Sequence, residues 1–131
     1  MSAKPRMSFR SAWSVTLLLA LSTIGCASMS GPPADATFTA VEKEGVKMWD
    51  GSGTIDRTYD SKPLTLKVVN NLAAEHGFAI DTMRVKEVIK AGEERIITVP
   101  LENVDKSVSE HRVYCQLHPK HGTATLKVAW K

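Results

Sequence analysis

From Thr37 onward, apolar residues recur at every second position more often than at helical spacing. Leu64, Leu66 and Val68 alternate with Thr65 and Lys67, while Leu126, Val128 and Trp130 alternate with Thr125, Lys127 and Ala129. Successive side chains of a strand point to opposite faces, so each run predicts a strand with one buried face. Further β-leaning segments run from Phe38 to Val41, Val46 to Trp49, His76 to Ile80, Arg95 to Val99 and His111 to Cys115. Turn-forming stretches separate them: Gly51-Ser52-Gly53, Asp60 to Pro63, Asn70-Asn71, Ala91-Gly92-Glu93 and Leu101 to Ser109. Leu72 to Glu75 is read as one helical turn, and no longer helix is expected. Many short strands at turn-punctuated spacing predict an all-β, antiparallel sandwich or barrel.

Ahead of that pattern the chain changes character. Lys4, Arg6 and Arg10 precede an apolar run from Ala12 to Ile24, the basic flank and hydrophobic core of a signal peptide, too short for a confident membrane span. Two processing patterns follow. Ser22-Thr23-Ile24-Gly25-Cys26 fits a permissive lipoprotein site at which Cys26 takes a lipid, whereas cleavage after Ala27 discards Cys26. Residues 1–25 are thus assigned to the leader, 26–36 to a flexible tether containing Gly31, Pro32 and Pro33, and 37–131 to one folded domain. The expected location is periplasmic or otherwise exported, with a membrane tether if Cys26 is lipidated.

The formal charge of +3 belongs to the leader, because without its three basic residues 14 Lys and Arg face 14 Asp and Glu. No basic stripe interleaved with aromatics is present, and no nucleic-acid partner is expected. Cysteine usage is more telling. Under either processing route Cys115 is left as the free thiol of the domain, a liability in an oxidising compartment unless it is buried, paired between chains or metal-bound.

Cys115-Gln116-Leu117-His118-Pro119-Lys120-His121 places one thiol and two imidazoles within seven residues. Soft sulfur with borderline nitrogen selects copper or zinc over oxygen-loving ions, and two histidines plus a cysteine with a weaker fourth ligand is the pattern of blue-copper electron-transfer sites. Pro119 biases His118 toward an extended backbone, and Gly122 is expected to permit an unusual backbone angle beside His121. Upstream, alternation sends His76 to the face of Phe78 and Ile80, the inward face, which makes it a third imidazole candidate. His111, four residues before Cys115, lies roughly 13 Å away along a strand and is not expected to join. Met83 reads as packing, Trp49 and Trp130 as core, Tyr114 as a sheet-surface aromatic, and Glu75 as a ligand only if the register slips.

His76-Gly77-Phe78-Ala79-Ile80-Asp81, Glu87-Val88-Ile89-Lys90-Ala91-Gly92-Glu93 and Tyr114-Cys115-Gln116-Leu117-His118-Pro119-Lys120 together resemble nitrosocyanin, the red copper branch of the cupredoxins. The resemblance spans roughly the second half of the chain, from Leu64 to the C-terminus, in the same order, and it implies a Greek-key cupredoxin β-sandwich holding one mononuclear copper at His76, Cys115, His118 and His121. It also implies one-electron transfer with unidentified redox partner proteins, and extends to this chain the homotrimeric assembly of nitrosocyanin. Two departures bear on the site. His76 stands where nitrosocyanin has a glutamate ligand, which favours Cu(I) and a higher potential, and the segment leading to His121 is two residues shorter, so the fourth ligand depends on where that gap falls. Second-shell donors to the sulfur, such as Asn71 or backbone amides, would tune it. The alternative functions are a nitrosocyanin-like copper enzyme or a binder of small molecules such as nitric oxide, then copper delivery or storage, for which the chain has no exposed Met- or His-rich tract. Zinc is the expected substitute metal.

Overall fold

The computed structural model describes residues 33–58 and 61–130; the leader, and the tether up to residue 32, lie outside them. Among the described residues the chain forms nine strands: β1 (Ala36–Lys43), β2 (Val46–Asp50), β3 (Ser52–Asp56), β4 (Leu64–Asn70), β5 (His76–Ile80), β6 (Val85–Ile89), β7 (Glu94–Val99), β8 (Glu110–Val113) and β9 (Ala124–Ala129). Short 3-10 turns at Asp81–Met83 and Leu101–Asn103 are the helical content. The folded body reaches back to Asp35, whose amide donates to the Thr65 carbonyl at 2.8 Å and whose carboxylate pairs with Arg57 at 2.7 Å. The end of the segment read as tether is therefore fastened to the sandwich.

One sheet has the order β2-β1-β4-β7. Its β1–β2 hairpin closes through Glu44 and Gly45, both at positive φ (52° and 77°), the backbone of a type I′ two-residue turn that matches the twist of the flanking strands. The second sheet has the order β3-β9-β8, and the chain continuing from β8 adds β5 and β6 to it through a two-bond bridge between Tyr114 and Ala79, at 2.9 and 3.0 Å. At Gly51 the chain leaves the first sheet for the second, passing so close over Phe38 that a Cβ there would lie 2.7 Å from its ring.

The pairing is not antiparallel throughout. β1 runs parallel to β4 and β3 parallel to β9, because β1 and β3 each pair with a strand reached by a crossover rather than by a hairpin. The alternation identified β4, β5, β7 and β9 well, yet β3 and β6 were not foreseen. Ser52-Gly53-Thr54-Ile55-Asp56 buries only Ile55, and Val85 to Ile89 carries Glu87 at the position that alternation reserves for an apolar residue. β8 stops at Val113, two residues short of the expected end. Leu72 to Ala74 forms a bend rather than a helical turn. Asn70, fully buried, holds that bend: its side-chain amide donates to the carbonyls of Ala74 (2.8 Å) and Ile89 (3.0 Å), and its oxygen accepts the Leu72 amide (3.0 Å).

Between the sheets lie Phe38, Trp49, Leu64, Leu66, Val68 and Val99 from one side, and Ile55, Phe78, Ile80, Val113, Leu126 and Val128 from the other. Phe78 is the common point, with ring centroids 5.5 Å from Phe38 and 5.2 Å, edge-on, from Trp49. Full burial of such side chains contributes about 1.5–3 kcal/mol each. Since His76 lies two residues from Phe78 on the same strand, the core fixes the place of one candidate ligand.

Candidate metal centre

β5 carries His76, Gly77 and Phe78, and all five of its residues are buried. Beyond the Tyr114–Ala79 bridge the chain departs at Cys115 into a tight loop. The His118 amide donates to the Cys115 carbonyl (3.4 Å) and the His121 amide to the His118 carbonyl (3.1 Å), after which the Gly122 amide docks on the Lys47 carbonyl of β2 (2.9 Å). Gly122 is marked by close packing rather than by an unusual backbone angle: it is not among the residues at positive φ, and a Cβ there would stand 2.9 Å from Met48 Cε and 3.0 Å from its Cβ.

This path brings the side chains of His76, Cys115, His118 and His121 together, with one candidate ligand atom from each lying within 4.8 Å of all the others. The imidazole centroids are 5.0 Å apart for His76 and His121, 5.7 Å for His76 and His118, and 4.4 Å for the stacked His118 and His121. His76 and Cys115 are buried, His121 is half-buried and His118 exposed. Glu75 is exposed and stands outside the group. His111 is fully buried elsewhere, with Nδ1 2.7 Å from Thr82 Oγ1, and Met83 lies in the core. Trp49 is buried, while Trp130 packs only partly against the core. The Tyr114 hydroxyl donates to Asp81 (2.8 Å) beneath the Arg112 guanidinium, so it is tied down rather than a plain surface ring.

Hydrogen bonding around the four donors is incomplete in a telling way. Cys115 Sγ accepts the Gly77 amide at 3.2 Å and lies 3.4 Å from His118 Nδ1. By contrast His76 Nε2 and His121 Nδ1 are buried without any hydrogen-bond partner. Buried polar atoms of this kind normally find one. Burial depresses the His76 pKa below 6.5, with further contributions from His121, His118 and Lys47. His121 is lowered as well, first by burial and then by His118 and Lys47. Both imidazoles are thereby kept neutral, the form that binds metal. One sulfur and three imidazole nitrogens form a donor set suited to copper or zinc.

The contacts that three neighbouring side chains make with the site escaped the sequence reading. Trp49 Nε1 donates to the Gly77 carbonyl at 2.7 Å. Gln116 lies so tightly on Gly77 that a Cβ there would collide with its side chain and stand 2.9 Å from its backbone nitrogen; its Nε2 donates to the Glu87 carbonyl at 2.8 Å. Asn70, rather than Asn71, organises the approach to β5. The donor to the sulfur is a backbone amide, one of the two expected kinds. Trp49 and Gln116 act through contacts distant in sequence, and Asn70, although it continues the alternation of β4, is polar where Leu64, Leu66 and Val68 are apolar.

No protein-family model and no curated protein matches this chain. Among solved structures, the multicopper oxidase mgLAC aligns with 74% of this chain and 38% of its own, at 12% identity and a TM-score of 0.50. A purple cupredoxin from Nitrosopumilus maritimus aligns over 72% of this chain and 100% of its own, at 12% identity and a TM-score of 0.48. A multicopper oxidase from Campylobacter jejuni aligns over 72% of this chain at 17% identity and a TM-score of 0.48, and the chain spans 25% of its length. At such identities the likeness is one of fold. The chain shares its two-layer β-sandwich with mgLAC and carries a His/Cys/His/His group able to hold a metal ion.

Proposed function

We propose that this chain is a mononuclear copper protein that carries single electrons outside the cytoplasm, with the ion held by His76, Cys115, His118 and His121. The observation that carries the reading is the convergence of those four donors within 4.8 Å of one another, two of the imidazoles having buried nitrogens without partners. Copper in such a set supplies a Cu(II)/Cu(I) couple. The protein's part is positional: β5 fixes His76, the Gly77 amide holds the sulfur, and the short Cys115–Gly122 loop limits how far His118 and His121 can rearrange. Exposed His118 offers an edge at which redox partner proteins can approach. The leader and Cys26 support an exported, membrane-tethered setting, and the nitrosocyanin resemblance supports a homotrimer. Zinc fits the same donors and is the expected competitor.

Copper titration followed by absorption and electron paramagnetic resonance tests this reading. One copper per chain and an intense visible sulfur-to-copper band are expected, and the band disappears in Cys115→Ala. Persistence of the band in that variant, or failure of the wild-type chain to take up copper, contradicts the proposal.

A second reading, binding of a small exogenous ligand, is favoured by a cleft of about 190 Å³ lined by Arg112, Tyr114, Gln116, His118 and His121. Azide or nitric oxide added to the oxidised protein then changes the spectrum; an unchanged spectrum counts against it.

A further inference from the structure

We infer that Trp49, on the sheet opposite the candidate ligands, is a positioning residue that sets the Gly77 amide against the Cys115 sulfur. The inference rests on the metal reading of the His76, Cys115, His118 and His121 group. In an antiparallel ladder the N–H and C=O of one residue point to the same side, and those of its second neighbour follow them. Ala79 directs both groups to Tyr114, at 2.9 and 3.0 Å. Gly77, two residues earlier, therefore also points its N–H and C=O toward the β8 side, where the partner chain has already turned away into the ligand loop.

Two side chains complete the ladder that the backbone abandons. Cys115 Sγ takes the Gly77 N–H at 3.2 Å, and the Trp49 indole N–H takes the Gly77 carbonyl at 2.7 Å. The two bonds fix the peptide planes on either side of one Cα. That Cα belongs to glycine, the residue with the freest backbone, and it must be glycine because Gln116 fills the place of a Cβ. A backbone so permissive needs an anchor on each side to hold the amide in line with the sulfur. The Trp49 ring also stands edge-on to His76, with centroids 6.4 Å apart and planes at 81°, so the same residue braces a nitrogen donor by packing and the sulfur donor by hydrogen bonding. Outer-shell partners of this kind hold first-shell ligands in orientation.

The test is amide hydrogen exchange of the full chain, metal-free and Cu(I)-loaded, together with copper affinity, in Trp49→Phe and in Phe38→Leu. The second variant removes core packing without touching the indole bond. In Trp49→Phe the Gly77 amide is expected to exchange at least about 10-fold faster than in wild type in both states, and the copper dissociation constant to rise by about 10-fold, the lower end for outer-shell partners. Phe38→Leu lowers the melting temperature but leaves both quantities within about twofold. Unchanged Gly77 exchange in Trp49→Phe overturns the inference, as does an equal effect in Phe38→Leu at matched stability. Should Trp49→Phe not fold, the wild-type indole N–H decides: slow exchange of that proton supports the bond and solvent-like exchange removes it. A wild-type chain that binds no copper sinks the metal reading, while Gly77 exchange still decides whether the indole anchors that residue.

Discussion

His76 sits on a strand whose five residues are all buried, whereas His118 lies exposed on a turn closed by backbone bonds of 3.4 and 3.1 Å. The strand half of the site is built by the core: Phe78 locks β5 between the sheets, Gln116 covers Gly77, and Trp49 reaches across to its carbonyl. The loop half depends on a few turns and on one docking contact, Gly122 against β2. Rigid elements position ligands better than loops do. A metal ion held by these residues would therefore be placed mainly from the strand half, with the loop half as its way in.

Truncating one imidazole from each half breaks this contrast if it is mistaken. His76→Ala is expected to raise the copper dissociation constant by about 100-fold or more, exceeding the 10–100-fold typical of outer-shell partners. Equal losses in His76→Ala and His121→Ala, measured by competition with a chelator, would erase the distinction between the halves. Next in size is Asn70→Ala, which strips donors from the buried carbonyls of Ala74 and Ile89 at the entrance to β5. A loss of about 2 kcal/mol in urea unfolding is expected. A loss below about 0.5 kcal/mol would mean that the strand ladder alone holds His76 in place.

In the loop half, His121→Ala is expected to weaken copper binding by only about 10-fold while keeping the sulfur-to-copper band. The smallest effect is one of pH. Burial lowers the pKa of His111 in the folded chain from 6.5, opposed by Asp105. The unfolded chain thus takes up protons first as pH drops, so the stability that this residue contributes is complete above about pH 6.5 and is lost as pH falls below it. Unfolding at pH 7.5 and 5.5 should show the decline, and His111→Gln should reduce it. A decline of the same size in that variant would assign the effect to His76 and His121, whose pKa values shift in the same direction.

The same division explains what was legible in the sequence. His76 to Ile80 was bounded correctly because strand alternation and burial act on neighbouring residues, and the Cys115-to-His121 spacing is itself a local signal. β3 and β6 escaped because their buried positions are too few to make a pattern: Ile55 in one, Val85 and Ile89 in the other. The parallel pairing of β1 with β4 follows from a crossover that no residue pattern announces. Trp49 and Gln116 act on the site through hydrogen bonds to carbonyls 28 and 29 residues away, and Asn70 joins its local bonds to Leu72 and Ala74 with one to a carbonyl 19 residues away. Identity alone could place Trp49 in the core, but only the fold could aim its N–H at Gly77.

X-ray absorption at the copper edge of the fully loaded chain is the most direct test of a shared centre. One sulfur and two or three imidazole nitrogens around a single copper is the result this account predicts. Coordination by nitrogen and oxygen alone, without sulfur, would contradict it.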